Sequence, residues 1–208
     1  MKQPFGVILA GGRATRMGGG DKGRLLLGGR SLFSRVIERT ERQVASLALS
    51  ANGDPARFAD LGLPVLPDPV AGYPGPLAGV LAGMDWAAEQ GADHVVSVAA
   101  DTPFLPEDLV PRLLLAAEDG APIALASSVI DGQEMRHPTF GLWSVGLRGL
   151  LRASLDRGES KVGLWAAEQG AVISRFPSGS IDPFFNINTA DDLALANTSI
   201  DRHSGPTP

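Results

Sequence analysis

Short apolar runs alternate along the chain with longer amphipathic stretches. Phe5 to Ala10 (FGVILA) is continuously apolar and stops at Gly11-Gly12, the pattern of a strand buried on both faces. Ser31 to Gln43 follows helical spacing: Leu32, Val36 and Ile37 fall on one face, with Arg35, Glu38, Arg39, Glu41 and Arg42 outside it. Val44 to Ala51 predicts a second strand, ended by the turn residues Asn52-Gly53-Asp54-Pro55, and Val65-Leu66 a third, ended by Pro67-Asp68-Pro69. A helix is predicted from Leu77 to Gln90 with Pro76 at its first position, then a buried strand from His94 to Ala100. Glu107 to Glu118 reads as helix, and Ile123 to Val129 and Thr139 to Trp143 as strands. Two helices follow, near Gly146 to Leu155 and Lys161 to Gln169, then strands at Val172 to Phe176 and Phe184 to Ile187. Thr189-Ala190-Asp191-Asp192 has the form of a capping box, with Asp in the acidic position, and opens a last helix.

Strands alternating with helices predict an α/β fold with a mostly parallel sheet. No repeat and no linker divides the chain, so residues 1–198 are expected to form a single domain and 199–208 a flexible polar tail. In such sheets ligands bind beyond the carboxyl ends of strands. Gly11, Asn52, Asp68 and Asp101 each fall just past such an end, so residues far apart in sequence are expected to converge there.

Composition narrows the chemistry. Hydrophobic residues are 44% of the 208 and the net charge is -5, which gives ample material for a core and no basic footprint for nucleic acid or an anionic membrane. The absence of cysteine removes disulfides, thiolate metal sites and a cysteine nucleophile, and with three histidines nucleophilic catalysis is poorly supported. No apolar run approaches the ~20 residues of a membrane span. The opening Met1-Lys2-Gln3-Pro4 lacks the apolar region of a signal peptide, so a cytoplasmic location is expected.

The loop from Gly11 to Gly23 is the most informative segment. Its glycines let the backbone approach phosphates, and Arg16 and Lys22 add positive charge, a combination suited to a triphosphate. Neither the P-loop nor the dinucleotide fingerprint is present. The same composition also describes a flexible loop with solvated charges. Asp101 ends a rigid strand where a carboxylate can hold Mg²⁺ with water and phosphate oxygens, and it reads equally well as a turn aspartate before Pro103. Asp68 and Asn52 stand either as ligand groups or as turn residues. Gly75-Pro76 places a helix N-terminus where an anion could sit, or simply starts a helix. Asn186 and Asn188 share one face of an extended segment, or end a strand before a cap. Arg136-His137 and Tyr73 are further candidates, with structural roles favoured for His137 and His94. A phosphate cradle with carboxylates and magnesium suits phosphoryl or nucleotidyl transfer, in which positioning and charge neutralisation supply most of the catalysis.

Leu9-Ala10-Gly11-Gly12, Arg16-Met17-Gly18, Asp21-Lys22-Gly23, Asn52, Pro67-Asp68, Tyr73 to Gly79, Asp101-Thr102-Pro103, Arg136 to Thr139 and Asn186 to Thr189, in that order, resemble the motifs of molybdenum cofactor guanylyltransferases. The opening loop alone is shared by many sugar-nucleotide pyrophosphorylases. The resemblance implies a Rossmann-like three-layer α/β/α fold and transfer of GMP from GTP to the terminal phosphate of molybdopterin or molybdenum-molybdopterin, with Mg²⁺. It implies that Leu9, Ala10, Gly11 and Gly12 meet the nucleotide through their backbone, that Asn52 and Asp68 help hold it, and that Asp101 binds Mg²⁺ and nucleotide together. Lys22, with Arg16, offsets charge during transfer. Tyr73, Gly75, Pro76, Arg136, His137, Asn186 and Asn188 would face molybdopterin. Transient contacts with molybdenum-insertion and molybdoenzyme chaperone proteins belong to the same expectation. The related cytidylyltransferases tend to carry Leu-Ala-Ala-Gly where this chain has Leu9-Ala10-Gly11-Gly12, which favours guanine. The alternatives are another small-molecule nucleotidyltransferase, cytidylyl or sugar-1-phosphate, and a GTP-binding molybdopterin carrier.

Overall fold

A computed structural model describes residues 2–11, 21–70, 72, 75–179 and 181–203. The chain opens with β1 (Phe5–Leu9), and a single 3₁₀ turn (Lys22–Arg24) leads to a small hairpin of β2 (Leu26–Leu27) and β3 (Arg30–Ser31). The hairpin loop is Gly28-Gly29, at φ 56° and 75°, the left-handed conformation that a two-residue turn of this twist requires. Helix α1 (Leu32–Glu41) starts at Ser31, whose hydroxyl accepts from the Ser34 N–H. Strand β4 (Leu47–Ser50), a 3₁₀ segment (Pro55–Leu61), β5 (Val65–Leu66), α2 (Pro76–Glu89), β6 (His94–Ala99) and α3 (Leu109–Ala116) follow. Then come β7 (Ile123–Ile130), β8 (Gln133–Ser144), α4 (Arg148–Asp156), α5 (Val162–Glu168), β9 (Val172–Phe176) and α6 (Ala190–His203).

The main sheet has seven strands in the order β5-β4-β1-β6-β8-β7-β9. Only β8 runs against the others: it is antiparallel to both β6 and β7, whereas the remaining pairs are parallel. Helices cover both faces. On one side α1 and α3 pack Phe33, Val36, Leu109 and Leu113 against Ile8, Leu49, Val96 and Val98; on the other α2, α4 and α5 pack Leu81, Met84, Leu151 and Trp165 against Val7, Val95 and Leu125. This is the expected three-layer α/β fold with a mostly parallel sheet. The central tryptophans are buried with their N–H groups paired, Trp143 Nε1 donating to Ser97 Oγ at 2.8 Å and Trp165 Nε1 to Ser154 Oγ at 3.0 Å. No described helix is long and apolar enough to cross a membrane.

Three expectations are revised. Phe184 to Ile187 is not a strand: the segment crosses the carboxyl ends of the sheet instead of running along an edge, and its Ile187 N–H donates to the Asp101 carbonyl at 2.9 Å. The last helix continues to His203, past Ser199 where the polar tail was predicted to begin, because Ile200 still packs on the cluster of Leu27, Leu32, Ile187 and Ala196. The strand predicted from Thr139 starts at Gln133, since its polar first half pairs with Ser127 to Ile130 as an overhanging hairpin.

Helix α2 lies unusually close to the sheet. A Cβ on Gly83 would stand 2.7 Å from Val7 Cγ1, and one on Gly79 would stand 2.8 Å from Leu9 Cδ2 and 2.7 Å from Ser50 Oγ. These glycines, one turn apart, let the helix settle onto β1 and β4. Gly83→Val is therefore expected to lower unfolding stability in urea by about 1–3 kcal/mol, the usual cost of overpacking, although it removes a helix glycine.

Candidate active site

The strand order reverses at β1. The chain builds outward from β1 to β4 and β5, then returns to place β6 on the other flank of β1. The carboxyl ends of β5, β4, β1 and β6 stand side by side and carry, in order, Asp68, Asn52, Ala10-Gly11 and Asp101. The convergence expected from the sequence is thus produced by topology, at a crevice that no helix can close.

Asn52 and Asp68 form a reciprocal pair: the Asn52 amide donates to Asp68 Oδ2 at 2.6 Å, and its oxygen accepts from the Asp68 N–H at 2.9 Å. Asn52 is exposed and Asp68 half-buried, so the pair presents a fixed polar edge to solvent. Gly11 has open space where a Cβ would project among the described residues, and no positive φ, so neither backbone strain nor packing there requires glycine. The first turn of α2 presses on Leu9 and Ser50 through Gly79, which puts the helix start at Gly75-Pro76 beside the same strand ends.

A cleft between β1 and β6 is lined by Leu9, Ala10, Asp21, Lys22, Gly23, Phe33, Ala100 and Asp101. Phe33 closes its floor by lying on Gly23, where a Cβ would meet the ring at 2.5 Å. The far end of the glycine-rich loop is tied down on the 3₁₀ segment after β4. Asp21 pairs with Arg57 at 3.2 Å, and Arg24 reaches both carboxylate oxygens of Asp60 at 2.8 and 3.0 Å.

Lys22 Nζ stands 3.7 Å from Asp101 Oδ2, with both side chains about one-fifth exposed (20% and 21%). It also donates to Asn188 Oδ1 at 2.6 Å, joining residues 166 apart in sequence. Burial pushes the Asp101 carboxyl above the usual aspartate range, with Lys22 beside it pulling in the opposite direction. Residues 182–188 form a strap over the strand ends. Asp182 Oδ2 lies 3.9 Å from His137 Nε2, Phe184 stacks on the His137 ring with centroids 4.4 Å apart, the Asn186 side-chain oxygen accepts from the Thr102 hydroxyl, and Asn188 holds Lys22. The start of α6 fixes its far end: Asp192 Oδ2 accepts from the N–H groups of Asn188 and Thr189 at 2.9 and 2.8 Å. Asp fills the role that Glu or Gln takes in the common capping box.

The sequence and the fold recur among known proteins. Residues 6–170 match the MobA-like NTP transferase domain. Over 197 residues the chain is 53% identical to the molybdenum cofactor guanylyltransferase of Rhodopseudomonas palustris (strain HaA2), covering 93% of this chain and 90% of that protein. It is 51% identical over 195 residues to that of Cereibacter sphaeroides, covering 93% and 95%. The chain belongs to this nucleotidyltransferase family. Among solved structures, the molybdopterin-guanine dinucleotide biosynthesis protein A of Archaeoglobus fulgidus superposes with a TM-score of 0.70 at 21% identity, covering 95% of this chain and 99% of that one. A CMP:2-keto-3-deoxy-manno-octonic acid synthetase superposes with 0.71 at 15%, covering 97% and 100%. At such identity these two share the fold.

The remaining candidates divide. Gly12, Arg16 and Tyr73 lie outside the described residues. His137 is held on the inner face of the β7–β8 hairpin by Ser128, Asp182 and Phe184, and burial lowers its pKa against the pull of Asp182. A neutral ring there supplies a hydrogen bond and no fixed charge. Ser128, His137 and Asp182 do not make a nucleophilic triad, because serine and aspartate approach the same ring nitrogen and Ser128 is fully buried. Arg136 pairs across the hairpin with Ser127 and is exposed on the opposite face, so it does not converge with His137. Phe33, Arg57 and Asp182 carried no sequence signal of their own, and Thr102 entered only as part of the Asp101-Thr102-Pro103 motif, with no role assigned to it. Each earns its place through a long-range contact.

The Asp101 shift makes a testable statement about stability. An aspartate raised in the folded state stabilises the protein least when ionised. Relative stability is highest well below the unfolded value of about 3.9 and is lost as pH rises through the higher folded value. Asp101→Asn is therefore expected to match or exceed the native Tm at pH 7, with the margin closing toward pH 3; calorimetry across that range checks it.

Proposed function

We propose that the chain transfers GMP from GTP to the terminal phosphate of molybdenum-molybdopterin, forming a molybdopterin guanine dinucleotide and releasing pyrophosphate, as a cytoplasmic enzyme. The observation that carries this reading is the Lys22–Asp101 pair at the sheet's switch point, in a chain about half identical to guanylyltransferases over almost its whole length.

Asp101 suits Mg²⁺. Among the described residues no three acidic or histidine side chains cluster, and Mg²⁺ is commonly held by one or two carboxylates, with water and substrate phosphates completing its shell. Held there by Asp101, Mg²⁺ would supply charge neutralisation and Lewis-acid polarisation at the phosphates. The chain's own groups do the rest. The backbone of Leu9 to Gly11, with the Asn52–Asp68 pair, orients the nucleoside end, while Lys22 faces the negative charge that accumulates as pyrophosphate departs. The acceptor phosphate is already anionic at neutral pH, since its second pKa is near 6, so it attacks the α-phosphorus without a general base. A site with no free histidine fits that requirement. The choice of guanine rests on the kinship with guanylyltransferases, not on Gly11 itself, where a Cβ would meet nothing among the described residues. The strap and hairpin, with Asn186, Asn188 and His137, stand where the acceptor would enter. The same reading extends to transient contacts with the proteins that insert molybdenum or receive the finished cofactor.

Pyrophosphate release is expected only when molybdopterin and Mg²⁺ are both present, and fastest with GTP among the four nucleotides. CTP as the preferred donor would replace the guanylyl assignment with the cytidylyl one, and release driven by a sugar phosphate would replace the acceptor. No release from folded protein supplied with authentic molybdopterin would favour a carrier. Lys22→Ala is expected to retain its fold and lose on the order of 10²–10³ in kcat, the usual cost of one preorganised electrostatic group.

A further inference from the structure

Thr102 is polar, wholly buried, and adjacent to Asp101. Its hydroxyl donates to the Asn186 side-chain oxygen and lies 3.5 Å from Asp101 Oδ1. A hydroxyl has one proton, and Asn186, the nearer acceptor, takes it. The bond ties the Asn186 side chain to the buried turn that follows β6. It also pins the strap two residues before Asn188, whose own oxygen holds Lys22.

We infer that Thr102 is a positioning residue for the transfer reaction: through Asn186 and the strap it sets Asn188, and through Asn188 it holds the Lys22 ammonium beside Asp101. The inference rests on the nucleotidyl-transfer reading for its kinetic effect and on geometry for its structural one. The alternative anchors explain why the hydroxyl is needed. One backbone bond, Ile187 N–H to the Asp101 carbonyl, and the Asp192 cap secure the strap's main chain. Neither sets the rotation of the asparagine side chains. Thr102 is the only described residue with a side-chain bond to Asn186. Lys22, a long and flexible cation, gains its fixed direction from Asn188 at 2.6 Å more than from Asp101 at 3.7 Å.

The test compares Thr102→Val, which removes the hydroxyl with little change of shape, with Thr102→Ser, which retains it. Thr102→Val is expected to lose about 10-fold in kcat, with the Kd for GTP changing less than about 3-fold, because a misdirected ammonium is felt most where charge develops. Thr102→Ser should recover to within about 2-fold of wild type. In an Asn188→Ala background, Thr102→Val should add less than about 2-fold, since both act through one path. Unchanged kcat in Thr102→Val, a loss that serine does not rescue, or full additivity with Asn188→Ala would each overturn the inference. Side-chain amide NMR signals provide a readout that needs no turnover. Those of both Asn186 and Asn188 should shift in Thr102→Val and stay near wild type in Thr102→Ser; a shift confined to Asn186 would overturn the coupling. If wild-type protein shows no transfer, the functional reading fails while these signals still decide whether Thr102 sets the strap.

Discussion

The contact between the Lys22 ammonium and its two oxygen partners, Asp101 and Asn188, is the point at which three distant parts of the chain must agree. Lys22 follows the glycine-rich loop, Asp101 ends β6, and Asn188 precedes α6. Each group is costly to place there. A partly buried carboxylate loses hydration, and its raised pKa records that a single lysine does not fully offset the loss. A structure optimised for stability alone would put an apolar or neutral residue at such a position. The cost makes sense where more positive charge arrives with the ligand. A metal ion or phosphate-bound cation would restore the carboxylate, and a triphosphate would engage the lysine.

The sheet explains why these groups meet. Parallel strands all release their chain at the same edge, and a reversal of order at β1 leaves a gap between helices at that edge. Asp68, Asn52, the Leu9–Gly11 backbone and Asp101 all arrive by this rule. The strap arrives by another. After β9 the chain crosses the strand ends and is fastened by Phe184 against His137, Phe140 and Phe176, by the Thr102 bond, and by the Asp192 cap. An apolar anchor thus carries a polar segment to the crevice, and the last helix holds it there. The family domain match ends at residue 170, before the strap begins.

Much of this was legible in the sequence, and the reason differs by element. Buried parallel strands announce themselves as short continuous apolar runs, which is why β1, β5, β6 and β9 fall where Phe5, Val65, His94 and Val172 placed them. The positions after those runs, at Gly11, Asn52, Asp68 and Asp101, then follow from topology. The small β2–β3 hairpin was overlooked although Gly28-Gly29 between apolar residues is a turn signal, because its two-residue strands, wedged between the glycine-rich loop and the helix, are too short to show a pattern. The apolar residues of Phe184 to Ile187 gave a false strand because they anchor a crossing segment, and periodicity reports burial without saying what buries it. The partner of the Thr102 hydroxyl and the direction of Asn186 and Asn188 were illegible for a plainer reason. Their meaning lies in bonds spanning 84 and 166 positions, and no local pattern encodes those.

The same crevice accounts for what the chain lacks. A hydrolase built at this edge would need a nucleophile and a base, yet the residues nearest to that arrangement, Ser128 and His137, are turned into the hairpin and satisfied there. Their bond, with Asp182 and Phe184, makes the hairpin a rigid wall. Group transfer between two phosphates asks little more of a protein than a rigid wall, a backbone edge that accepts the nucleoside, and charge fixed where it will be needed. A freely titrating histidine in the cleft would invite water to compete as acceptor. Burial beside an aromatic face lowers the His137 pKa, and under the proposed reading the direction of the Lys22 ammonium then governs the transfer.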